Sequence, residues 1–513
     1  GGICTVDLGA QGVTLKSGVA RFGSDSHVSS GAISKGPFGT GVLKLQGGTI
    51  VNVDTNTHTI RNTLEVAGSV GFGASGNVRS FTFDPTGLSV GNSITFDGAV
   101  TLDVLGGMST TFVGPITGIN TPSVTKTGAG DVIFSNASGA ASTLGNISIN
   151  EGRLFYSGQE ALGAGNISIA SGTSLVKNTG SANLEPSNLI TVASGGNISN
   201  RSNTLTLDTS KVSFPSAGTI IFNNDDSATS GITINGNLPA LTGALTIQVG
   251  GGNSSVGAVT YNGALDDAAG SFKITKTGAG SFVYTQLAEP TFDGGLQIDG
   301  GDFTWNYAQP GAAVATSVKF GTGPITLNGG RFTFNQSAAS GPVQNATLAN
   351  DFVVTSAGGS IGGSNVGNLR AVIGGNIDLQ GPLSFGKFSG GGNSESIVLD
   401  GVVTLNSPTA RIIGNVSNPR VELTGVIKDG TATALELGVT NSGNGTDFLW
   451  SSPAANQQYS GITTIINTAA ANSSGNYAVS IAAGAQMGTN DVVVNAGGLL
   501  KIAEDAAVAA GKK

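Results

Sequence analysis

The sequence predicts an all-β fold of the solenoid kind, a β-helix, and three observations predict it. The first is a strand-corner-strand pattern that returns along the whole 513-residue chain. Alternating apolar residues lead to a small polar residue and one or two glycines, and a second alternating stretch follows. The copies are VLKLQGGTIVNV at 42–53, ISINEGRLFY at 147–156, LQIDGGDFTW at 296–305, ITLNGGRFTF at 325–334 and VVVNAGGLLKI at 492–502. The second is composition: Gly is 83 residues, and only 11% of residues are charged, where a soluble domain averages about a quarter. The third is that long runs of helix-favouring Glu, Lys, Gln and Leu at helical spacing are missing.

Taken in order, the strand signals are GVTLKSG near Val13, NTLEVAGSVGFG from Asn62, RSFTFD from Arg79, NSITFDGAVTLDVLGG from Asn92, NTLTLDT from Asn203, GTIIFNN from Gly218, GITINGN from Gly231 and GALTIQVGGG from Gly243. Each ends at Gly, Asn, Asp or Ser, residues that accept positive φ or bond their own backbone at a turn. The turn glycines Gly152, Gly172 and Gly196 lie 20 to 24 residues apart, the scale of one β-helix coil. That period predicts roughly 20 to 24 coils in one continuous, elongated solenoid over 1–502, less regular at about 342–460 around GGSIGGSNVGN and SGGGNSES. Residues 503–513 are expected to be an Ala-rich tail or partial cap. In each coil every second residue points inward, so Val, Ile, Leu and Phe stack in interior columns.

A stricter motif occurs twice, as VTKTGAGDVIFS at 124–135 and ITKTGAGSFVYT at 274–285. With the segment that follows, it resembles the passenger-associated transport repeat, also called the autotransporter-associated β-strand repeat. Lys126, Gly128, Gly130, Gly145, Gly152 and Leu154 occupy that family's pattern in the first copy, and Lys276, Gly278, Gly280, Gly295, Gly301 and Phe303 in the second. Gly330 and Gly498 hold the corner position in looser copies. The resemblance covers two clear repeats and about six degenerate ones. It implies a right-handed parallel β-helix exported by Gram-negative bacteria to the cell surface or medium. Because the motif is structural, it transfers no active-site residue.

The net charge of −8 and scattered basic residues argue against nucleic-acid binding. The single cysteine, Cys4, excludes an internal disulfide framework and reads as an inert buried thiol. No run of 18 apolar residues suggests a membrane helix. The first residue is Gly, which reads as a processed product or a fragment, and no translocator barrel is expected after the repeats end near Ile502. The two histidines, His27 and His58, sit among Ser, Thr and Asn and read as ordinary surface imidazoles.

No metal, cofactor or catalytic site is predicted. Asp225 with Asp226, Asp266 with Asp267, and Asp429 read as turn aspartates, because adjacent carboxylates lack the facing geometry of glycoside hydrolysis and the calcium-winding nonapeptide is missing. Asn-x-Ser/Thr sequons at Asn136, Asn146, Asn166, Asn197 and Asn253 read as stacked corner asparagines, while Trp305 and Trp450 suit core packing as well as a sugar platform. Strand-like sequence begins at Ile3, and the last glycine pair lies fifteen residues from Lys513. The expectation is therefore open solenoid ends or caps supplied by another chain. The leading function is an exported structural protein that stacks end to end into a surface fibre or coat. A monomeric passenger adhesin for host or matrix ligands and a glycan-cleaving β-helix enzyme are the alternatives.

Overall fold

A computed structural model describes residues 12–502, leaving out segments of which the longest are 179–187, 308–315, 337–344, 440–447 and 468–478. The described residues form strands, turns and bends, with no helix among them, and the coils stack in parallel as a β-solenoid. Two compact units are formed, Gly1–Pro239 with Gly252–Gly257, and Ala240–Gly251 with Ala258–Lys513. Cys4 and the tail at 503–513 lie outside the described residues.

In the first unit, Val13–Leu15, Leu43–Leu45, Leu64–Phe72, Ile94–Val104, Ile116–Thr127, Ile147–Ile149, Ile167–Ile169, Ile190–Val192 and Val212–Ser213 pair in that order, each parallel to the next. A second parallel sheet runs from His58–Ile60 through Phe81–Phe83, Ser109–Val113, Asp131–Ser135, Arg153–Ser157, Ser174–Lys177 and Asn197–Asn200 to Gly218–Asn224. The longer strands turn a corner inside themselves, at Gly68, Gly98 and Asn120, whose φ values of 72°, 62° and 54° are left-handed. One antiparallel pair occurs among the described strands, the hairpin His27–Ser29 with Ala32–Lys35.

The second unit has three parallel sheets. One passes from Leu245–Val249 through Ile274–Thr277, Leu296–Ile298 and Ile325–Leu327 to Gln457–Gln458. The next runs from Val259–Asn262 to Val492–Val494, and the last from Thr316–Val318 to Leu500–Ile502. Within 342–460, Phe352–Val354, Ile377–Leu379, Val403–Leu405 and Ile427–Asp429 pair in parallel register.

Alternation decides what is buried. In the first unit Val100, Val124, Ile147, Ile167, Ile190 and Val212 stack as one inward column, all buried. In the second, Tyr261, Tyr284, Trp305 and Phe334 form an aromatic column beside Phe282, Phe303, Phe332 and Ile361. Stacking identical residue classes across a parallel ladder repeats the same contact at every coil, which is why the interior needs no globular centre. On the outward side charges pair between successive coils: Arg153 is bidentate on Asp131, at 2.9 and 2.8 Å, and Lys44 meets Glu65 at 2.7 Å. These half-exposed pairs add at most about 1 kcal/mol each.

The coil count corrects the expectation of 20 to 24, for the solenoid has fewer turns. The 20-to-24-residue period holds where Arg153 faces Ser174 and Ser174 faces Asn197. Elsewhere a coil is longer: Val13 faces Leu43, Leu64 faces Ile94, and Leu296 faces Ile325. The extra residues enter the corners and leave the strands in register. Period counting on glycines sees strands and corners but not the length of the loop between them.

Trp305 is fully buried, with its ring 5.3 Å from both Phe320 and Phe334. Trp305→Ala is expected to destabilise the second unit by about 3–5 kcal/mol. Denaturant unfolding followed by intrinsic fluorescence checks the loss.

Candidate functional site: the buried corner polar groups

A corner interrupts the ladder, so its carbonyls need other partners or lose free energy in the interior. The strictest sequence motif supplies one. Lys126 occupies an inward position, in register with Leu102 on one side and Ile149 on the other, so its alkyl stem continues an aliphatic column. Its Nζ donates to the carbonyls of Thr127 at 2.7 Å, Gly128 at 2.6 Å and Glu151 at 3.1 Å. Lys276 repeats this between Ile247 and Ile298, bonding Thr277 and Gly278 at 2.9 Å each and Gly300 at 3.1 Å. Both lysines are fully buried, and burial pulls each ammonium pKa down to about 8, against the upward pull of Asp131, Asp103 and Glu151 on Lys126 and of Asp302 on Lys276.

The glycines make room for the ammonium. Gly128 and Gly152 have φ of 72° and 66°, and a Cβ on Gly152 would lie 2.6 Å from the Gly128 carbonyl oxygen and 2.9 Å from Lys126 Nζ. Gly278 and Gly301 repeat these conformations at 77° and 60°. Gly130 and Gly280 lie directly against the preceding coil's backbone, at Leu105 and Val249. At Gly330 the residue in the lysine's place on the preceding coil is Ile298, so that corner closes without a lysine. Gly498 lies outside the described residues.

A second corner device went unread in the sequence. Three tetrapeptides of the form apolar-Gly-x-Gly, at 38–41, 162–165 and 320–323, are each followed about one coil later by a buried asparagine. Asn62 Nδ2 donates to Gly39 O and Gly41 O, at 3.2 and 2.7 Å. Asn188 does the same to Gly163 O and Gly165 O, at 2.9 and 2.7 Å. Asn350 binds Gly321 O and Gly323 O, at 3.1 and 2.9 Å, and its Oδ1 accepts from Phe320 N at 2.7 Å. The repeated tetrapeptide was the available signal.

The remaining sequence candidates bond neighbouring backbone and hydroxyl groups. Asp267 accepts from Asp293 N at 3.0 Å, Asp266 from Thr291 Oγ1 at 2.8 Å, and Asp429 from Ser460 N at 3.0 Å. Asp225, Asp226 and Asn253 lie outside the described residues. Asn146 Oδ1 accepts from Asn166 N at 3.0 Å, Asn197 Nδ2 donates to Ser174 Oγ at 2.9 Å, and Asn136 Nδ2 donates to Ala140 O at 2.5 Å. Trp450 is as fully buried as Trp305, which leaves neither indole face open to a sugar.

His27 is exposed, but His58 corrects the surface-imidazole expectation. Alternation in His58–Ile60 turns both its ends inward, and the His58 ring packs 6.1 Å from Phe22. Its Nε2 lies 3.1 Å from Asp54 Oδ2 and its Nδ1 3.4 Å from Asp25 Oδ1. Asp54 itself is held below the ordinary carboxylate range, chiefly by the Thr55 amide, with Asn56, His58 and the Thr55 hydroxyl adding to it. Among the described residues no group of three His, Cys, Asp or Glu is arranged to hold a metal ion, and no helix is long and apolar enough to cross a membrane.

No family model matches the chain, and no curated protein or solved structure is found to be similar to it.

Two outcomes test the corners. Lys126→Met strands three carbonyls and is expected to destabilise the first unit by about 1–3 kcal/mol at pH 7. Because the folded chain holds the lysine proton more weakly than the unfolded chain does, native stability rises as pH climbs from about 8 toward 10, and the rise is smaller in the variant, which keeps the lowered Lys177 and Lys276. Above pH 10 the buried Tyr156 and Tyr284 hydroxyls, both raised by burial, act in the opposite direction, so the comparison is made below it. Asn350→Ala is expected to cost about 2 kcal/mol in the second unit by denaturant unfolding.

Proposed function

We propose that this is an exported structural repeat protein that stacks through its strand edges, end to end, into a fibre or coat at a bacterial cell surface. One observation carries the reading: strands at the limits of the described residues pair on one side only and expose apolar side chains there. Val19–Phe22 pairs only with Thr49–Asn52 among the described strands, and Val19 is 56% exposed. Among the described strands Val492–Val494 pairs only with Thr463–Asn467, and Val493 and Val494 are 40% and 43% exposed. An unpaired parallel edge of this kind is a template for another strand, and head-to-tail contacts that do not close generate filaments.

Export and surface location rest on the resemblance of Lys126, Gly128 and Gly130, and of Lys276, Gly278 and Gly280, to the passenger repeat. The reading is non-enzymatic, which is consistent with the bonds that Asp267 and Asp429 accept from backbone N–H groups and Asp266 from the Thr291 hydroxyl. A second reading, a monomeric passenger-type adhesin for a host or matrix ligand, is favoured by one specific feature: the edge of His58–Ile60 is covered by the chain's own residues.

Electron microscopy and sedimentation of the native chain are expected to show filaments. The double substitution Val493→Lys with Val494→Lys is expected to return dispersed monomers with unchanged far-ultraviolet dichroism, since lysine on an edge opposes strand addition. Native chains that stay monomeric at all concentrations sink the fibre reading and leave the adhesin.

A further inference from the structure

The first strand of the first unit's second sheet, His58–Ile60, pairs with Phe81–Phe83 on one side. In a parallel ladder alternate residues bond to opposite sides, so Thr59 offers its N–H and C=O to the other edge. Both are taken. Thr59 N donates to Asp25 Oδ1 at 2.7 Å, Ser26 N donates to Thr59 O at 2.9 Å, and Arg61 N donates to Ser26 Oγ at 3.2 Å. Residues 25 and 26 thus act as a one-strand mimic, half backbone and half side chain.

The segment that brings them is an insertion rather than a coil. It continues into the antiparallel hairpin, whose tip is held where Ser89 N donates to Gly31 O at 2.7 Å. It ends at Phe38, buried 5.6 Å from the Phe22 ring, and at Gly39 and Gly41, held by Asn62. His58 fastens it from below. The ring lies between Asp25 of the segment and Asp54 of the coil, with its Nδ1 3.4 Å from Asp25 Oδ1 and its Nε2 3.1 Å from Asp54 Oδ2.

We propose that residues 24–41 are an edge guard: a built-in segment that occupies the strand-addition edge of His58–Ile60, latched by His58 between Asp25 and Asp54, and displaced when the strand of a second copy of this chain takes its place. This rests on the end-to-end stacking reading and adds to it a gate. Side-chain acceptors make the guard displaceable, because an incoming strand supplies full backbone partners for Thr59 and Arg61 in place of Asp25 Oδ1 and Ser26 Oγ.

The test uses the full chain, with amide hydrogen exchange and filament growth measured side by side. Asp25→Ala with Ser26→Ala removes the mimic's two side-chain acceptors, and His58→Phe keeps the ring's bulk while removing both carboxylate contacts. Each is expected to speed exchange at Thr59 and Arg61 by about tenfold, the effect of losing one hydrogen bond, with Leu102 and Val124 unchanged. Each is also expected to shorten the lag of filament growth by a similar factor. Unchanged exchange at Thr59 in both variants overturns the guard whatever the filaments do. Faster exchange with an unaltered lag overturns the gate. Faster exchange with no filaments from any chain, native included, overturns the stacking reading while the guard itself stands.

Discussion

Every coil of a parallel solenoid must turn corners, and at each corner the backbone leaves the ladder that satisfies it. A strand buries its polar groups at no cost because its neighbours above and below accept and donate. A corner carbonyl turned inward has no such neighbour, and burying it unpaired costs about 1–3 kcal/mol. The rest of this structure follows from how each corner meets that demand.

Two solutions appear, and they differ in kind. Lys126 and Lys276 bring three donors on a long stem, so one side chain reaches carbonyls of its own corner and of the next coil. The cost is an ammonium held out of water, visible in its depressed pKa. Asn62, Asn188 and Asn350 bring a neutral amide that spans two glycine carbonyls without burying charge. The lysine fits where the inward column is otherwise aliphatic, because its methylenes replace an isoleucine or leucine stem. The asparagine fits where a glycine pair brings two carbonyls close together.

The strands were legible because side-chain alternation is a local property: VTKTGAGDVIFS shows its inward Val124 and Lys126 and its outward Thr125 and Thr127 without reference to any other coil. The lysine-glycine motif was legible as a motif, though its purpose was not, since two of the three carbonyls on Lys126 belong to Thr127 and Gly128 and the third to Glu151, twenty-five residues on. The asparagine corners and the position of His58 were missed for the same reason. Asn350 and its glycines are 27 and 29 residues apart, and a histidine among threonines looks exposed until the ladder sets its face. Coil length failed too, because corner insertions carry no periodic signal.

The covered edge at His58–Ile60 shows the same constraint acting at the end of a sheet. An end strand is a corner problem spread along its length, with every second residue's N–H and C=O facing outward. A helix laid over the end would bury apolar surface but leave those groups unpaired. Asp25 and Ser26 answer them one by one, as Lys126 and Asn350 answer their corners, and Phe22 and Phe38 close the apolar column beside them. A cap built from side-chain partners matches the polar pattern of a strand without continuing the sheet. It therefore protects an edge while leaving that edge's own geometry intact for a strand that fits better.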